Sequence, residues 1–462
     1  MTIYQYNKIQ GVFFMLLSRT KTRELILEGN LYRVLLVISF PIVITNVLQA
    51  FYELVDMFYV GKLGVMPLAA LSLTGPINFF IMVFAMGMAI GSVSLMSRCI
   101  GEETFSKFSK YAGQLIFLNF VLSLFVAVLV LVFIDSILDI MNVSGELREL
   151  TKSYFYVVIY AIPVMFLSVS VVYILNAQGE TVIAMMLILV ANVINFILDP
   201  ILMFTFGLGI AGAAWSTLFS KLMTVFSYFF LTYRLNCGLK VRLRDIAPDI
   251  IIIKNIINLG FPAIFGQMMA SLSFLIFNYI VIQISSKFLA AYGMANNIIS
   301  FLLLPGMSIG TGIIAIVGQN LGAKNISRVE DILKKGFFVT LIIMITVASF
   351  LISFKEIIIE TFTNDLEVVG YANSYFLLAS IGAVGFGLQQ VFFGGLIGAG
   401  FTKLVMIVIC IRLWIIRLPA VFILQYFGFM EDSLGYAFII SNYVALIILL
   451  CLTFTKYWAK AQ

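Results

Sequence analysis

The sequence predicts an all-α polytopic membrane protein with twelve transmembrane helices in two six-helix lobes. First, hydrophobic residues make up 62% of the 462 residues and charged residues 11%, whereas soluble domains have roughly 45–50% and 25%. Second, about twelve apolar runs are long enough to cross a bilayer. Third, short motifs recur at a constant offset of 221 residues, as from Phe40 to Phe261. A chain with so little charge must turn most of its surface toward lipid.

The apolar runs place the predicted spans. A helix needs roughly 20 apolar residues to cross a hydrocarbon core about 30 Å thick. In the first half such runs lie near 33–58, 68–98, 112–134, 153–175, 182–206 and 210–232. In the second half they lie near 256–284, 289–320, 336–354, 372–397, 404–427 and 435–455.

The basic residues predict the orientation. Of the 28 Lys and Arg residues, 20 fall on the N-terminus, the even-numbered loops and the C-terminus, and five fall on the odd-numbered loops. Cytoplasmic loops of membrane proteins carry this kind of excess. We therefore expect a multi-pass protein of the cytoplasmic (inner or plasma) membrane with both termini in the cytoplasm.

The repeat predicts the domain organisation. Phe40-Pro41 recurs as Phe261-Pro262, and Leu68-Ala69-Ala70 recurs as Leu289-Ala290-Ala291. An even number of spans per half makes both halves enter the membrane in the same sense, which predicts lobes related by a pseudo-two-fold axis along the membrane normal. The predicted segments are an N-terminal cytoplasmic or interfacial segment at 1–30, an N-lobe at 31–232, a basic cytoplasmic linker at 233–255 and a C-lobe at 256–462.

Composition excludes several kinds of chemistry. The chain has no histidine, which removes imidazole metal sites and histidine acid–base catalysis. The four cysteines are far apart without a CxxC pair, so neither zinc nor a disulfide framework is indicated. No nucleophile–base constellation is present, and the net charge of +6 is explained by the loops. We expect no enzyme activity, no cofactor and no nucleic-acid partner.

Acidic residues within predicted spans are the main functional signal, because charge in lipid is costly. Glu53 and Asp56 lie in the first span and Asp199 in the fifth, four residues after Asn195. Burial disfavours a charged carboxylate, so such a group can load and release a proton, or bind Na⁺ together with amide and hydroxyl oxygens. The alternatives are a polar cluster that holds helices together and, for Glu53, a position at a water-filled entrance.

Other span residues complete this pattern. Thr217 and Lys221 are four residues apart in the sixth span. Lys221 is interpreted as a counter-charge for Asp199 or as a group that points into water. The second half has no span carboxylate, and its span charges are Arg412 and Arg417.

Three stretches carry a resemblance. Val55-Asp56-Met57-Phe58-Tyr59-Val60-Gly61, Leu175-Asn176-Ala177-Gln178-Gly179-Glu180-Thr181 and the run from Gly209 to Thr217 resemble the multidrug and toxic compound extrusion (MATE) family, most closely its DinF/MepA-type bacterial and archaeal branch. The resemblance implies a cation-coupled drug antiporter. It also implies a proton or sodium site at Asp56, Asn195, Asp199 and Thr217, with Tyr154 as a further member.

The function expected from these observations is secondary active efflux of organic, mostly cationic and aromatic compounds in exchange for H⁺ or Na⁺ by alternating access. The chain is expected to act as a monomer in the lipid bilayer. The alternative is a lipid-linked precursor flippase of the same superfamily, with Arg412 and Arg417 contacting a pyrophosphate. Polar residues predicted to line a substrate cavity are Gln267, Asn278, Asn296, Gln390 and Lys221.

Overall fold

A computed structural model describes residues 19–234, 239–363 and 365–455, with the side chains of 19–21, 243 and 454 left out. These ranges are almost entirely helical and contain no β-strand. The predicted segment 1–30 is therefore seen only from residue 19 onward.

Each predicted span coincides with a long helix. The helices of the first half are α1 (Arg19–Glu28), α2 (Leu31–Leu63), α3 (Val65–Gly101), α4 (Phe105–Ile140), α5 (Gly145–Gln178), α6 (Thr181–Pro200), which continues as a π-helix at Ile201–Thr205, and α7 (Gly209–Arg234). The short α8 (Leu243–Ile246) lies in the central loop.

The second half follows the same order. Its helices are α9 (Ile250–Ile284), α10 (Ser286–Gly322), α11 (Ile326–Ser353), the short α12 (Lys355–Glu360), α13 (Leu366–Gly398), α14 (Thr402–Cys410), which continues through a π-helix at Ile411–Arg417 into α15 (Leu418–Tyr426), and α16 (Ser433–Phe454).

Length and apolarity support the predicted fold class. In the described part of the chain, 11 helical rods are long and apolar enough to cross a membrane. The remaining predicted span is α7, whose 26 residues reach about 39 Å at a rise of 1.5 Å per residue. The prediction of an all-α protein with twelve long helices is confirmed.

The chain forms two compact units with the same internal packing. The first unit contains the described residues up to Gly29 together with Ile44–Phe261, and the second contains Asn30–Val43 together with the described residues from Pro262 onward. In the first unit α3 packs on α5 and α5 on α7. In the second unit α10 packs on α13 and α13 on α16, which are the equivalent helices under the repeat.

Glycines explain why the units divide within α2 and α9. A Cβ added at Gly91 of α3 would meet the backbone of Gly260 at 2.6 Å, so only glycine lets these helices approach so closely. The repeat places Gly312 and Ser39 at the equivalent positions, and a Cβ at Gly312 would meet Ser39 Oγ at 2.6 Å. The first part of α9 thus belongs to the first unit and the first part of α2 to the second unit, while the remainder of each helix belongs to the other unit. The predicted lobe boundaries at 31–232 and 256–462 do not contain this division.

Aromatic residues fill the core of the first unit. Phe155 and Phe166 of α5 are fully buried in one cluster with Ala85 of α3 and Ala214 of α7. Between helices in lipid, the burial of apolar groups adds little hydrophobic free energy, so close packing supplies the stabilisation. This packed cluster holds α5 and α7 in place beside the polar groups described next.

Candidate functional site

A buried hydrogen-bonded group lies at the end of α6. Asp199 is 0% exposed and Asn195 is 1% exposed. Asn195 Nδ2 donates to Ser216 Oγ of α7 at 2.7 Å and to Asp199 Oδ1 at 3.3 Å. Ser216 Oγ in turn donates to the backbone carbonyl of Asn195 at 3.2 Å. The spacing of four residues within α6 and this bond to α7 fix the orientation of the Asp199 carboxyl group.

The backbone changes its hydrogen-bond pattern directly after Asp199. Pro200 has no N–H to donate, and the helix continues as a π-helix over Ile201–Thr205. Local π-helical turns inside α-helices occur frequently at functional sites. Asp199 therefore lies where the helix is least regular.

Asp56 reaches the same place from α2. Its carboxyl group lies within hydrogen-bonding reach of Asp199 and of the Tyr52 hydroxyl. The Tyr52 hydroxyl and Thr217 Oγ1 of α7 are 2.5 Å apart, and Thr217 Oγ1 also donates to the Ala213 carbonyl at 3.1 Å. Three helices thus bring two carboxyl groups, three hydroxyl groups and one amide together.

Tyr154 and Lys221 surround this group. Tyr154 is 7% exposed, its hydroxyl accepts a hydrogen bond from Asn78 Nδ2 at 3.3 Å, and it is close enough to Asp56 to interact with its charge. Lys221 Nζ lies 5.1 Å from the centroid of the Tyr52 ring and is close enough to Asp56 to attract its carboxylate. Lys221 therefore lies near Asp56 and Glu53, and its role as a counter-charge for Asp199 stays a prediction.

Two carboxylate oxygens in the group have no hydrogen-bond partner. Asp56 Oδ1 and Asp199 Oδ2 are both buried and unpaired. Leaving a buried acceptor unpaired costs about 1–3 kcal/mol, and more when the group is charged. A proton or a small cation at this position would satisfy both oxygens. Thr217 and Asn195 belong to the same polar group, although the Asn195 atom that faces Asp199 is its Nδ2, a hydrogen-bond donor.

Glu53 does not join the buried group. Its side chain is exposed and accepts a hydrogen bond at 3.4 Å from Gln49 Nε2, one turn earlier on α2. It is close enough to Lys221 to interact with its charge. The entrance position considered for Glu53 fits its exposure better than a place between the two aspartates.

The four polar residues predicted in the second half each have a separate contact, and no hydrogen bond among the described residues joins two of them. Asn278 Nδ2 donates to a carbonyl of its own helix at 3.0 Å, and the backbone carbonyl of Gln267 accepts from Ser271. A Cβ at Gly310 would meet the carbonyl of Gln390 at 2.6 Å, so the Gln390 backbone lies against α10. Asn296 Oδ1 accepts a hydrogen bond from the Tyr375 hydroxyl at 3.1 Å.

Sequence analysis missed Tyr52, Ser216 and Asn78. Tyr52 lies one helical turn before Asp56, and Ser216 directly precedes Thr217, so the spacing that selected Asn195 also pointed to Tyr52. Asn78 carried no such signal, because its contact with Tyr154 joins helices α3 and α5.

Comparisons with known proteins agree with the internal repeat and identify the family. The family model described as MatE matches residues 41–201 and 262–423, two segments whose starts are 262 − 41 = 221 residues apart, as in the internal repeat. Similar proteins include the probable multidrug resistance protein YoeA of Bacillus subtilis (strain 168), 25% identical over 87% of this chain and 89% of that protein. Another is the multidrug export protein MepA of Staphylococcus aureus (strain NCTC 8325 / PS 47), 25% identical over 75% of this chain and 76% of that protein.

The fold also matches solved structures. One described as an outward-facing conformation of a multidrug resistance MATE family transporter of the MOP superfamily has a TM-score of 0.89, with 22% identity over 95% of this chain and 98% of that chain. At this identity the likeness concerns the fold alone. Because the MatE model covers both halves of the repeat and more than half of the residues, the chain belongs to the MatE family of membrane transporters.

Proposed function

We propose that the chain is a secondary active multidrug efflux transporter, which exports organic cations with aromatic groups in exchange for H⁺ or Na⁺ by alternating access. The observation that carries this proposal is the pair formed by the buried Asp199 and the half-buried Asp56, each with one buried, unpaired carboxylate oxygen. The names of the relatives support the substrate class.

Electrostatics explains why such a pair would bind a cation reversibly. Two like charges about 4 Å apart repel by about 4 kcal/mol at an effective dielectric constant of 20. A proton shared by the two carboxyl groups, or a Na⁺ ion between them, removes this repulsion. Lys221 beside the pair lowers the cost of the unbound state, so that the ion can also leave.

A small groove borders this site. A groove of about 180 Å³ lies between α2 and α6, and Tyr52 and Asn195 contribute to its wall. Drug-sized ligands occupy pockets of about 300–1,000 Å³, so the groove is too small for them. Because its wall is mostly apolar and includes neither Asp56 nor Asp199, we assign the groove neither to the drug nor to the coupling ion.

Coupling to transport requires that ion and drug favour different states of the same protein. Asp56 lies on α2, and Pro41 of the same helix interrupts its backbone hydrogen bonds. Neutralising Asp56 would change how α2 packs on α6 and α7, and the helix has a weak point at which to bend. The exporter would act as a monomer in the cytoplasmic membrane with both termini in the cytoplasm, as the basic loops predict.

The decisive experiment is drug-driven ion flux in proteoliposomes. The purified protein is reconstituted with a fluorescent organic cation, and H⁺ or Na⁺ counterflow is recorded under a pH gradient or a sodium gradient alone. We expect one gradient to drive uptake, and Asp199→Asn to abolish the coupled flux because the pair then carries one acid. If Asp199→Asn retained coupled flux, the assignment of the ion site would be wrong.

Two matched variants control for unspecific loss. Asp135→Asn removes a carboxyl group of the same unit that is 52% exposed and paired with Arg148 at 2.7 Å, so it should leave the flux unchanged. Glu53→Gln removes the exposed acid of α2 and should lower the rate by less than about tenfold, as for a group at an entrance. Lipid-linked precursor translocation, measured in the same vesicles, tests the flippase alternative.

A further inference from the structure

The second unit contains two arginines inside its helix bundle. Arg412 is 6% exposed and lies in the π-helix Ile411–Arg417. Its Nη1 donates to Gln389 Oε1 of α13 at 3.1 Å and to Asn442 Oδ1 of α16 at 3.4 Å. Both acceptors are neutral amides, so they orient the guanidinium group without cancelling its charge.

Arg417, at the end of the same π-helix, is held in a similar way. Its Nε donates to Ser441 Oγ at 2.8 Å, and its Nη2 donates to Asn442 Oδ1 at 3.1 Å. Asn442 is itself anchored, because its Nδ2 donates to the Gly382 carbonyl at 3.0 Å. One buried amide oxygen therefore joins both arginines.

The positive charge of this pair is uncompensated. Across 19–234, 239–363 and 365–455, no carboxylate forms an ion pair with either arginine. Aromatic rings cover guanidinium faces, with Arg417 Cζ 4.5 Å from the Phe438 centroid and Arg412 Cζ 5.4 Å from the Phe386 centroid. Such contacts offset part of the charge but occupy only the faces of the groups.

The remaining polar atoms around the pair are hydrogen-bond donors. Arg412 Nε is buried without a partner, and so is Asn296 Nδ2. The hydroxyl groups of Tyr292 and Tyr375 lie close enough to Arg417 to interact with its charge. Buried charges in proteins are normally paired, and unpaired donors next to two cations are the features expected of an anion site.

The repeat sharpens the contrast between the units. The offset of 221 residues places Phe277 at the position of Asp56, and Asn442 at the position of Lys221. Phe277 lies against Arg417, whose Cζ is 5.9 Å from the ring centroid. The second unit thus has neither the acid nor the lysine at these positions, and its two arginines correspond to Ala191 and Phe196 of the first unit.

We propose that this cluster, formed by Arg412, Arg417, Gln389, Ser441 and Asn442 with Asn296 beside it, binds a monovalent anionic group. The ligand is either a free halide ion or the carboxylate of a zwitterionic transported compound. A monovalent anion needs few donors, and Arg412 Nε is a buried guanidinium nitrogen without a partner. The halide reading does not depend on the proposed efflux activity, and the carboxylate reading rests on it.

Thermal unfolding of the purified full-length protein tests the site directly. Sodium gluconate is replaced stepwise by sodium chloride or bromide at constant Na⁺ and ionic strength, and the unfolding temperature is recorded. A ligand that binds only the folded state raises Tm in a saturable way, and we expect a rise of about 2–4 °C. No saturable rise with either halide would exclude the free anion as the ligand.

A comparison of two transported compounds tests whether the ligand is the carboxylate of a zwitterion. The binding of an aromatic cation is compared with that of its analogue bearing one carboxylate, with and without chloride. If chloride competes with the zwitterion but not with the cation that lacks the carboxylate, the carboxylate binds at this site. If neither halide nor zwitterion binding depends on the arginines, the proposal is overturned, and it is also overturned if inorganic pyrophosphate raises Tm more than chloride does.

The variants separate this site from the rest of the protein. Arg412→Gln and Arg417→Gln should lose the halide effect, while Arg417→Lys should keep part of it because the charge remains. Arg148→Gln, which removes a guanidinium paired with Asp135, should keep the full effect. Asp199→Asn should also keep it, so loss of coupled transport and loss of anion binding can be told apart. If the glutamine variants do not fold, the wild-type halide and zwitterion titrations still decide the outcome.

Discussion

Replacing Gly212 by alanine tests the geometry on which the candidate ion site depends. Gly212 of α7 lies against the π-helix that follows Asp199, and an added Cβ would lie 2.8 Å from Met203 N and 2.9 Å from Leu202 C. Both are backbone atoms and cannot rotate away. Ordinary van der Waals contact begins near 3.4 Å, so the two helices must separate by 3.4 − 2.8 = 0.6 Å.

This displacement reaches the site through one turn of helix. Ser216 lies four residues after Gly212, and its Oγ is 2.7 Å from Asn195 Nδ2. A separation of 0.6 Å would lengthen this hydrogen bond to about 3.3 Å, near the limit of useful geometry. Overpacking of this kind costs about 1–3 kcal/mol. We expect a lower Tm together with a coupled flux reduced at least tenfold.

The assay combines thermal unfolding with proteoliposome flux. The matched control is Gly293→Ala in α10, where an added Cβ meets nothing within 4 Å, so both readouts should stay at the wild-type level. If Gly212→Ala unfolded and transported like the wild type, the close approach of α7 to the π-helix would be refuted. Loss of stability with unchanged flux would show that the Asn195–Ser216 bond does not position Asp199.

Three further predictions follow from named contacts. Tyr52→Phe removes the hydroxyl that bonds Thr217 and should weaken binding of the coupling ion several-fold in an equilibrium titration, with no added loss in the double variant with Thr217→Val. Arg148→Ala removes the ion pairs with Asp135 and Asp139, and at high salt its Tm should equal that of the wild type. Pro41→Ala restores a backbone donor in α2 and should slow coupled flux while ion affinity changes little. Pro262→Ala, at the equivalent position of a helix without an acid, should slow it less.

Much of the fold could be predicted because lipid makes composition decisive. A span must be helical to satisfy its backbone, so the run at 153–175 was found within Gly145–Gln178. The acids of the candidate ion site could also be predicted, since a carboxylate within an apolar span is costly and is usually kept for a function. Asn195 and Asp199 share one helical face through their spacing alone.

Contacts between helices were not predictable in the same way. Gln389 is fully buried and bonds Arg412, yet the sequence favoured its neighbour Gln390, because a span without clear periodicity does not show which face is polar. Nothing in the chain marked the π-helix at Ile411–Arg417, although it sets the direction of both arginines. Such features depend on packing partners that are distant in sequence.

Helix α2 is shared by the two units, so it links the candidate ion site of the first unit covalently to the second unit. Residues up to Val43 belong to the second unit and those from Ile44 to the first, while the helix is continuous over Leu31–Leu63. Pro41 lies just before this division, and Tyr52 and Asp56 lie beyond it. A change in the packing of Asp56 must therefore either bend the helix near Pro41 or move its first part with it. If the pair binds the coupling ion as proposed, its charge state would be transmitted in both cases by a covalent element, without a chain of weak side-chain contacts.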